Sequence, residues 1–317
     1  MERIPYDSFL KEIAKLDDWL GSLGISVKKD RWHEAVSMVR QAKEQRQQVE
    51  RGIPFCPIPN YVPALFEALE VLNVFRAFSG DSSLMLREKL LRALSGPSSP
   101  AHEKPDNSAA RNAMFELMLA ADWKNLGADV KLGEPDIEIV VGGAIFRVEC
   151  KRPFSARSVR RNIEDAAGQL SKALEVSGHA GSFGLVAVSL SRFFNLGGGP
   201  FLAAEDSGRK GLNDALIRTI ENHKHEWKWN TARFHERIAS VAFYLAVPWD
   251  INRERLIYLS TTKHFLQAKC PVGSRILREN MDRLYAVREG CSERDQYRAR
   301  GWPTFTFLVG ETGGRKL

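Results

Sequence analysis

At 317 residues the chain has room for two domains, and 46 Lys and Arg against 39 Asp and Glu leave a formal net charge of +7, compatible with a polyanionic partner. Its four cysteines, Cys56, Cys150, Cys270 and Cys291, lack C-x-x-C spacing, which argues against a zinc site and against a disulfide framework. No stretch approaches a membrane span and the N-terminus carries no apolar signal core, so the expected setting is a reducing cytoplasm.

Residues 1–105 read as a helical N-terminal domain followed by a linker. Ser8 to Leu20, Arg31 to Arg51, Val62 to Phe78 and Leu84 to Leu94 show apolar residues at helical spacing, interrupted by Gly52, Pro54, Pro57, Pro59 and Pro63. The second helix carries Lys43, Arg46, Gln47, Gln48 and Arg51, a mildly basic face whose default is a solvated surface. Ser95 through Pro105 is rich in Pro and Ser and reads as a linker or long surface loop before a second domain over residues 106–317.

A helix over Ala109 to Leu126 is predicted next, with Asn107 or Ser108 as its N-cap and Gly127 as its stop. Its centre, from Ala113 to Ala121, is apolar on nearly every side, and Glu116 is the only charge in it. A helix apolar all round is usually buried, and a buried carboxylate needs a partner or a proton. A structural ion pair with Arg111 or another Arg would meet that need.

Asp136 to Val141 and Ala144 to Lys151 are β-branched, period-2 runs separated by Gly142-Gly143, a two-residue hairpin signal. Symmetric pairing about the glycines sets Val141 opposite Ala144, Glu138 opposite Arg147 and Asp136 opposite Glu149. Directly opposed residues have Cβ atoms about 5 Å apart on one face. Ile137, Ile139 and Val141 then share a core face with Phe146, Val148 and Cys150, while Asp136, Glu149 and Lys151 share the other. Two carboxylates held that close raise each other's pKa unless a cation neutralises them, and oxygen-only ligands suit magnesium or manganese.

Through Pro135-Asp136 and Glu149-Cys150-Lys151 the chain resembles the PD-(D/E)XK nuclease superfamily, over roughly residues 108–250. The resemblance implies a restriction-endonuclease-like αβββαβ core, a mixed central sheet flanked by helices. It also implies that Asp136, Glu149 and the Cys150 carbonyl ligate the metal, that Glu116 completes the site, and that Lys151 positions the attacking water.

The following helix is expected from about Ser158 to Val176, with Ile163, Ala167, Leu170 and Leu174 as its core stripe. Asn162, Asp165, Gln169 and Lys172 form an adjacent polar stripe. By the resemblance, Gln169 and then Lys172 are candidates to contact the scissile phosphate or the water, against a plain solvated face. Arg152, Arg157, Arg160 and Arg161 follow the motif closely enough to line a path for phosphates.

Farther on, Phe183 to Leu190 and Ala239 to Val247 read as buried strands with a helix over Leu212 to Trp227 between them. Leu256 to Thr261 and Phe305 to Val309 extend the sheet, and Val272 to Gly290 is a late helix. His223, His225 and His235 lie without convergent partners and do not suggest a metal. Gly197-Gly198-Gly199-Pro200 lacks the Lys-Ser/Thr of a phosphate-binding loop. Phe193, Phe194, Phe201, Trp227 and Trp229 either stack on unpaired bases or, more commonly, anchor their loops to the core.

These features converge on a magnesium- or manganese-dependent nuclease, a DNA endonuclease first, that hydrolyses phosphodiesters by in-line attack of water. Restriction, anti-phage defence or mobile-element biology fits the resemblance. Two alternatives are a non-catalytic nucleic-acid-binding module on the same fold and an effector nuclease active only with a recruited partner. The N-terminal helical region is the candidate surface for that partner or for a second copy of the chain.

Overall fold

The computed structural model describes residues 2–3, 6–26, 31–51, 61–97, 99–177, 181–194, 201–203, 208–230, 234–251, 256–289 and 305–308. In chain order the elements are β1 (Glu2–Arg3), α1 (Tyr6–Ser22), α2 (Arg31–Glu50), α3 (Tyr61–Phe78), α4 (Leu84–Ala93), α5 (Ala109–Asn125), β2 (Asp129–Leu132), β3 (Ile137–Val141) and β4 (Ala144–Lys151). They continue with α6 (Val159–Ser177), β5 (Ser182–Ser189), α7 (Ser191–Phe194), β6 (Phe201–Ala203), α8 (Gly208–His223), β7 (Ile238–Ile251), β8 (Leu256–Gln267), α9 (Pro271–Glu289) and β9 (Phe305–Leu308).

The fold is α/β, with a mixed nine-stranded sheet in the order β1-β9-β8-β7-β5-β4-β3-β2 and β6 added alongside β7. β2, β3 and β4 form an antiparallel meander, β4, β5 and β7 run parallel, and β8 returns antiparallel to β7. Parallel neighbours need crossovers, which α6 and α8 supply. From α5 to β5 the order is therefore α-β-β-β-α-β.

The β3–β4 hairpin fixes the register of that unit. Gly142 and Gly143 take φ of +58° and +76°, the positive values that a tight hairpin turn of the primed type requires at both central positions. Val141 then faces Ala144, Ile139 faces Phe146 and Glu138 faces Arg147. Alternation buries Ile137, Ile139, Val141, Phe146, Val148 and Cys150. Glu138 and Arg147 fall on the other face, 3.6 Å apart.

Helices α1 to α5 cover the buried face. One apolar cluster joins Phe9, Leu16, Trp32, Leu65 and Leu90 to Phe115, Leu117, Ile139 and Phe146, so the segments on either side of residue 105 share a core. Ser83 caps α4, its hydroxyl accepting from Leu86 N–H at 3.3 Å. α5 packs between α3, α4 and the sheet, and each fully buried Leu, Met or Phe side chain contributes on the order of 1.5–3 kcal/mol. The helix ends where Gly127 turns left-handed at φ +94°.

On the opposite face, Ile163, Leu170 and Leu174 of α6 and Leu212 and Leu216 of α8 pack on Val186, Val188, Val241 and Phe243. With both faces covered, β5 is buried at every position, which explains its unbroken apolar run. No helix among the described residues is long and apolar enough to cross a membrane.

Three differences from the sequence reading matter. The ladder stops at Ile137 opposite Val148, so Asp136 lies just outside β3. β2, a four-residue edge strand with two charges, carries no period long enough to announce it, and pairing with β3 holds it in place. The Pro/Ser-rich stretch is largely exposed, as a surface loop would be, yet it forms single 3-10 turns at Pro100–His102 and Pro105–Asn107 and buries Ser99 and Glu103. Gly52, Pro54, Cys56, Pro57, Pro59, Gly197 to Pro200, Gly290, Cys291 and Val309 lie outside the described residues.

Candidate active site

The open end of the β3–β4 hairpin gathers side chains from five places in the chain. Asp136 precedes β3, Glu149 and Lys151 are on β4, Glu116 comes from α5, Gln169 from α6 and Lys89 from α4. Asp136 Oδ2 accepts a hydrogen bond from the Cys150 backbone N–H at 2.8 Å. This contact replaces the ladder pair that symmetric extension of the hairpin would give, and it brings the carboxylate across to β4 beside Glu149.

Glu149 and Lys151, two apart on a strand, point to the same face. Lys151 Nζ donates to Glu149 Oε1 at 2.8 Å and to Gln169 Oε1 at 2.6 Å. Of the polar stripe on α6, Gln169 reaches this centre. Asn162 instead donates to the Ser158 carbonyl, Asp165 lies 3.6 Å from Arg161, and Lys172 is exposed.

Glu116 accepts from Lys89 in a mostly buried ion pair. Its partner is thus a lysine from α4; Arg111, the partner weighed from sequence, lies by Glu103 instead. Lys89 itself went unnoticed in the sequence although a signal exists. It falls three residues after Leu86 and four before Ala93, on the buried stripe of α4, where a lysine is out of pattern.

The electrostatics bind these groups into one centre. Burial raises the Glu149 pKa, the nearby Asp136 charge raises it further, and Lys151 opposes both. Burial likewise raises Glu116, again with Asp136 as the next cause and Lys89 opposing. Asp136 is the carboxylate common to both. The Cys150 thiol faces the core and is pushed well up by burial, with Asp136, Glu116 and Glu149 adding to the shift. Three carboxylates here meet the ammonium groups of Lys89 and Lys151, and the Arg92 guanidinium also acts on Glu116.

All the acidic donors are oxygens, the set a hard divalent cation prefers. Among the described residues, no three or more His, Cys, Asp and Glu side chains form a group that could hold a metal ion as they are arranged. The reason is visible in the contacts: Glu116 and Glu149 are each turned to an ammonium, and Asp136 to a backbone N–H.

The basic residues after the motif divide into two sets. Arg152 is bound through both Nη atoms to the buried Glu103 and is therefore not on the open surface. Arg157 is exposed. Arg160 and Arg161 are exposed as well, each beside an acid one helical turn on, Glu164 at 3.1 Å and Asp165 at 3.6 Å.

Of the aromatics noted in the sequence, Trp227 anchors its segment to the core, and the side chain of Phe201 lies outside the described residues. Trp227 is buried and donates from Nε1 to the Ala156 carbonyl at 2.9 Å, with Phe193 and Phe243 against it. His223 stacks on Trp227 at 4.7 Å with its Nδ1 3.0 Å from Glu226. No protein-family model matches the chain, and no match is found among curated proteins or among solved structures.

Proposed function

We propose that the chain is a metal-dependent nuclease of the PD-(D/E)XK type, acting on DNA, with its active centre at Asp136, Glu149 and Lys151. The observation that carries the reading is the Lys151 ammonium, held between Glu149 and Gln169 beside Asp136, at the end of the central hairpin of an α-β-β-β-α-β unit. The element order and the two intact motif segments support the fold assignment.

Asp136, Glu149 and Glu116, with the Cys150 carbonyl, would hold a magnesium or manganese ion. Bound there, the ion supplies positive charge to the phosphate and acidifies a water. The upward shifts of Glu116 and Glu149 by burial and by Asp136 fit that role, since a cation lowers the cost of keeping buried carboxylates ionised. When Glu149 turns toward a cation, Gln169 still fixes Lys151 through its 2.6 Å hydrogen bond. Lys151 can then orient the attacking water and stabilise negative charge that develops on the phosphoryl oxygens. Its ammonium is a donor, so Lys151 orients and does not accept the proton.

The test is incubation of the purified full chain with supercoiled plasmid, linear duplex, single-stranded DNA and RNA, in magnesium or manganese and in chelator. Metal-dependent cleavage of at least one DNA, absent in Asp136→Asn, is the expected result. Cleavage restored only by a cellular extract would favour an effector that needs a partner. Binding of nucleic acid without cleavage under any condition would favour the non-catalytic module.

A further inference from the structure

A second cluster of buried charge lies just beyond the end of β4, against α3 and α5. Glu103, with a fully buried side chain, is shared by three guanidiniums: Arg152 takes both its oxygens, Arg192 Nη1 donates to Oε2 at 2.9 Å, and Arg111 Nε lies 3.8 Å from that oxygen. Beside them opens a cavity of about 60 Å3 lined by Arg111, Arg152, Arg192, Glu70, Ser189 and Ser191 together with Tyr244 and apolar side chains. Ser189 ends β5 and Arg152 follows β4, so the cavity stands at the C-terminal ends of parallel strands, where open α/β sheets commonly take ligands.

Among the described residues the two signs are unequal in number. Arg31, which pairs with Glu67, adds a fourth guanidinium to those three, against the carboxylates of Glu67, Glu70 and Glu103. The crowding is also felt at Arg111, whose pKa is drawn down to about 10 by burial first and by Arg31 next. Burial also pushes Glu70 up to about 7, so near neutrality it supplies less than a full negative charge. Among the described residues, guanidiniums in this cluster therefore outnumber carboxylates, an environment that favours an added anion.

We propose that this cavity binds a phosphate group, as inorganic phosphate or as a phosphate monoester at a nucleic-acid end. Guanidinium forks match the oxygens of a phosphate, and serine hydroxyls can donate to them. The cavity has room for the phosphate group itself. Glu103 holds the guanidiniums together, and the bound anion supplies the charge that Glu103 and Glu70 do not. The site is distinct from the carboxylate centre and does not rest on the nuclease reading.

The full-length chain is titrated with inorganic phosphate at constant ionic strength and at a pH above the Glu70 value, using calorimetry and the shift in Tm, beside Arg192→Gln and Glu70→Gln. Saturable binding to the wild-type chain is expected, weakened about tenfold or more in Arg192→Gln and tightened severalfold in Glu70→Gln. Opposite signs from these two charge-removing changes set a ligand site apart from a structural ion cluster, which would show lowered Tm and no tightening. Where Arg192→Gln fails to fold, Glu70→Gln decides alone. A 5′-phosphorylated oligonucleotide and its dephosphorylated twin form a second arm: preference for the first assigns the phosphate to a nucleic-acid end, and equal binding assigns it to free phosphate. No phosphate binding by the wild-type chain, or binding unchanged or weakened in Glu70→Gln, overturns the proposal. None of these readouts needs a divalent metal or cleavage.

Discussion

Around the end of β4, Glu149 and Lys151 point toward Gln169 of α6, whereas Arg152, one residue on, turns to Glu103 and the cavity beside α3 and α5. The first region has more carboxylates than ammonium groups, and the second has more guanidiniums than carboxylates. Glu149 and Lys151 are strand residues that share one face, whereas Arg152 lies just past the end of β4 and turns toward α3 and α5, so one short segment reaches two clusters of different charge balance. The comparison teaches that the net charge of +7 says little about where a phosphate is met. The local balance in each cluster says more.

Removing a carboxylate from the acidic region should have the largest effect. Asp136→Asn keeps an oxygen that can accept from the Cys150 N–H, so the fold should persist while metal-dependent cleavage disappears. Glu149→Gln should behave alike. Wild-type cleavage rates in either purified variant would remove the basis for treating this region as a cation site.

On the basic side, Glu103→Gln should act on stability. Breaking a buried pair leaves uncompensated charge and costs about 3–5 kcal/mol. Urea denaturation of the variant and the wild type measures this directly; a loss well below that range would mean that the guanidiniums are compensated by something other than Glu103. Lys151→Ala should come next, lowering cleavage about 10²–10³-fold, as removal of one transition-state donor does, while manganese affinity measured by calorimetry is kept. Lost metal affinity with normal cleavage at saturating manganese would refute the orienting role.

The pH dependence of stability sharpens the contrast further. Glu70 has a folded pKa of about 7 against an ordinary value of 4.5, so the folded chain retains a proton that the unfolded chain releases. Its contribution is fully present below the unfolded value and is lost as pH rises toward the folded one, for a total of up to about 3 kcal/mol. Glu116 and Glu149, also raised, slope the same way. Glu70→Gln should flatten part of the decline between about pH 5 and about pH 8 in denaturant titrations, and an unchanged slope would exclude the group as its source.

The smallest effect is expected from the exposed arginines of α6. Arg160→Ala with Arg161→Ala should weaken nucleic-acid binding similarly across sequences and reduce the slope of log affinity against log salt by about 1 to 2. Their pairs with Glu164 and Asp165 are solvent-exposed and weak, so phosphates can replace them. A loss confined to one sequence would indicate base readout instead.

Much of this arrangement is legible in the sequence because it rests on local periodicity. The two glycines set the hairpin register, α5 and α6 show their apolar faces, and the polar stripe of α6 contains the residue that meets Lys151. The remainder depends on contacts between distant segments. Glu103 sits in a Pro/Ser-rich stretch without a period, and only the fold brings it to Arg152 and Arg192. Glu67 and Glu70 did leave a trace, as acids in an otherwise apolar α3, the same signal that marks Glu116 on α5. Which cation each acid faces could not be read, because α4 and β4 are unrelated by spacing.

The most direct test of the cation site is the melting temperature of the full chain titrated with manganese in chelator-treated buffer above neutral pH, beside Asp136→Asn. Clustered carboxylates destabilise the folded chain when no cation neutralises them, so manganese should raise the wild-type Tm in a saturable way and leave the variant nearly unmoved. Equal shifts in both proteins, or no shift in the wild type, would contradict the assignment of Asp136, Glu149 and Glu116 to a shared cation site.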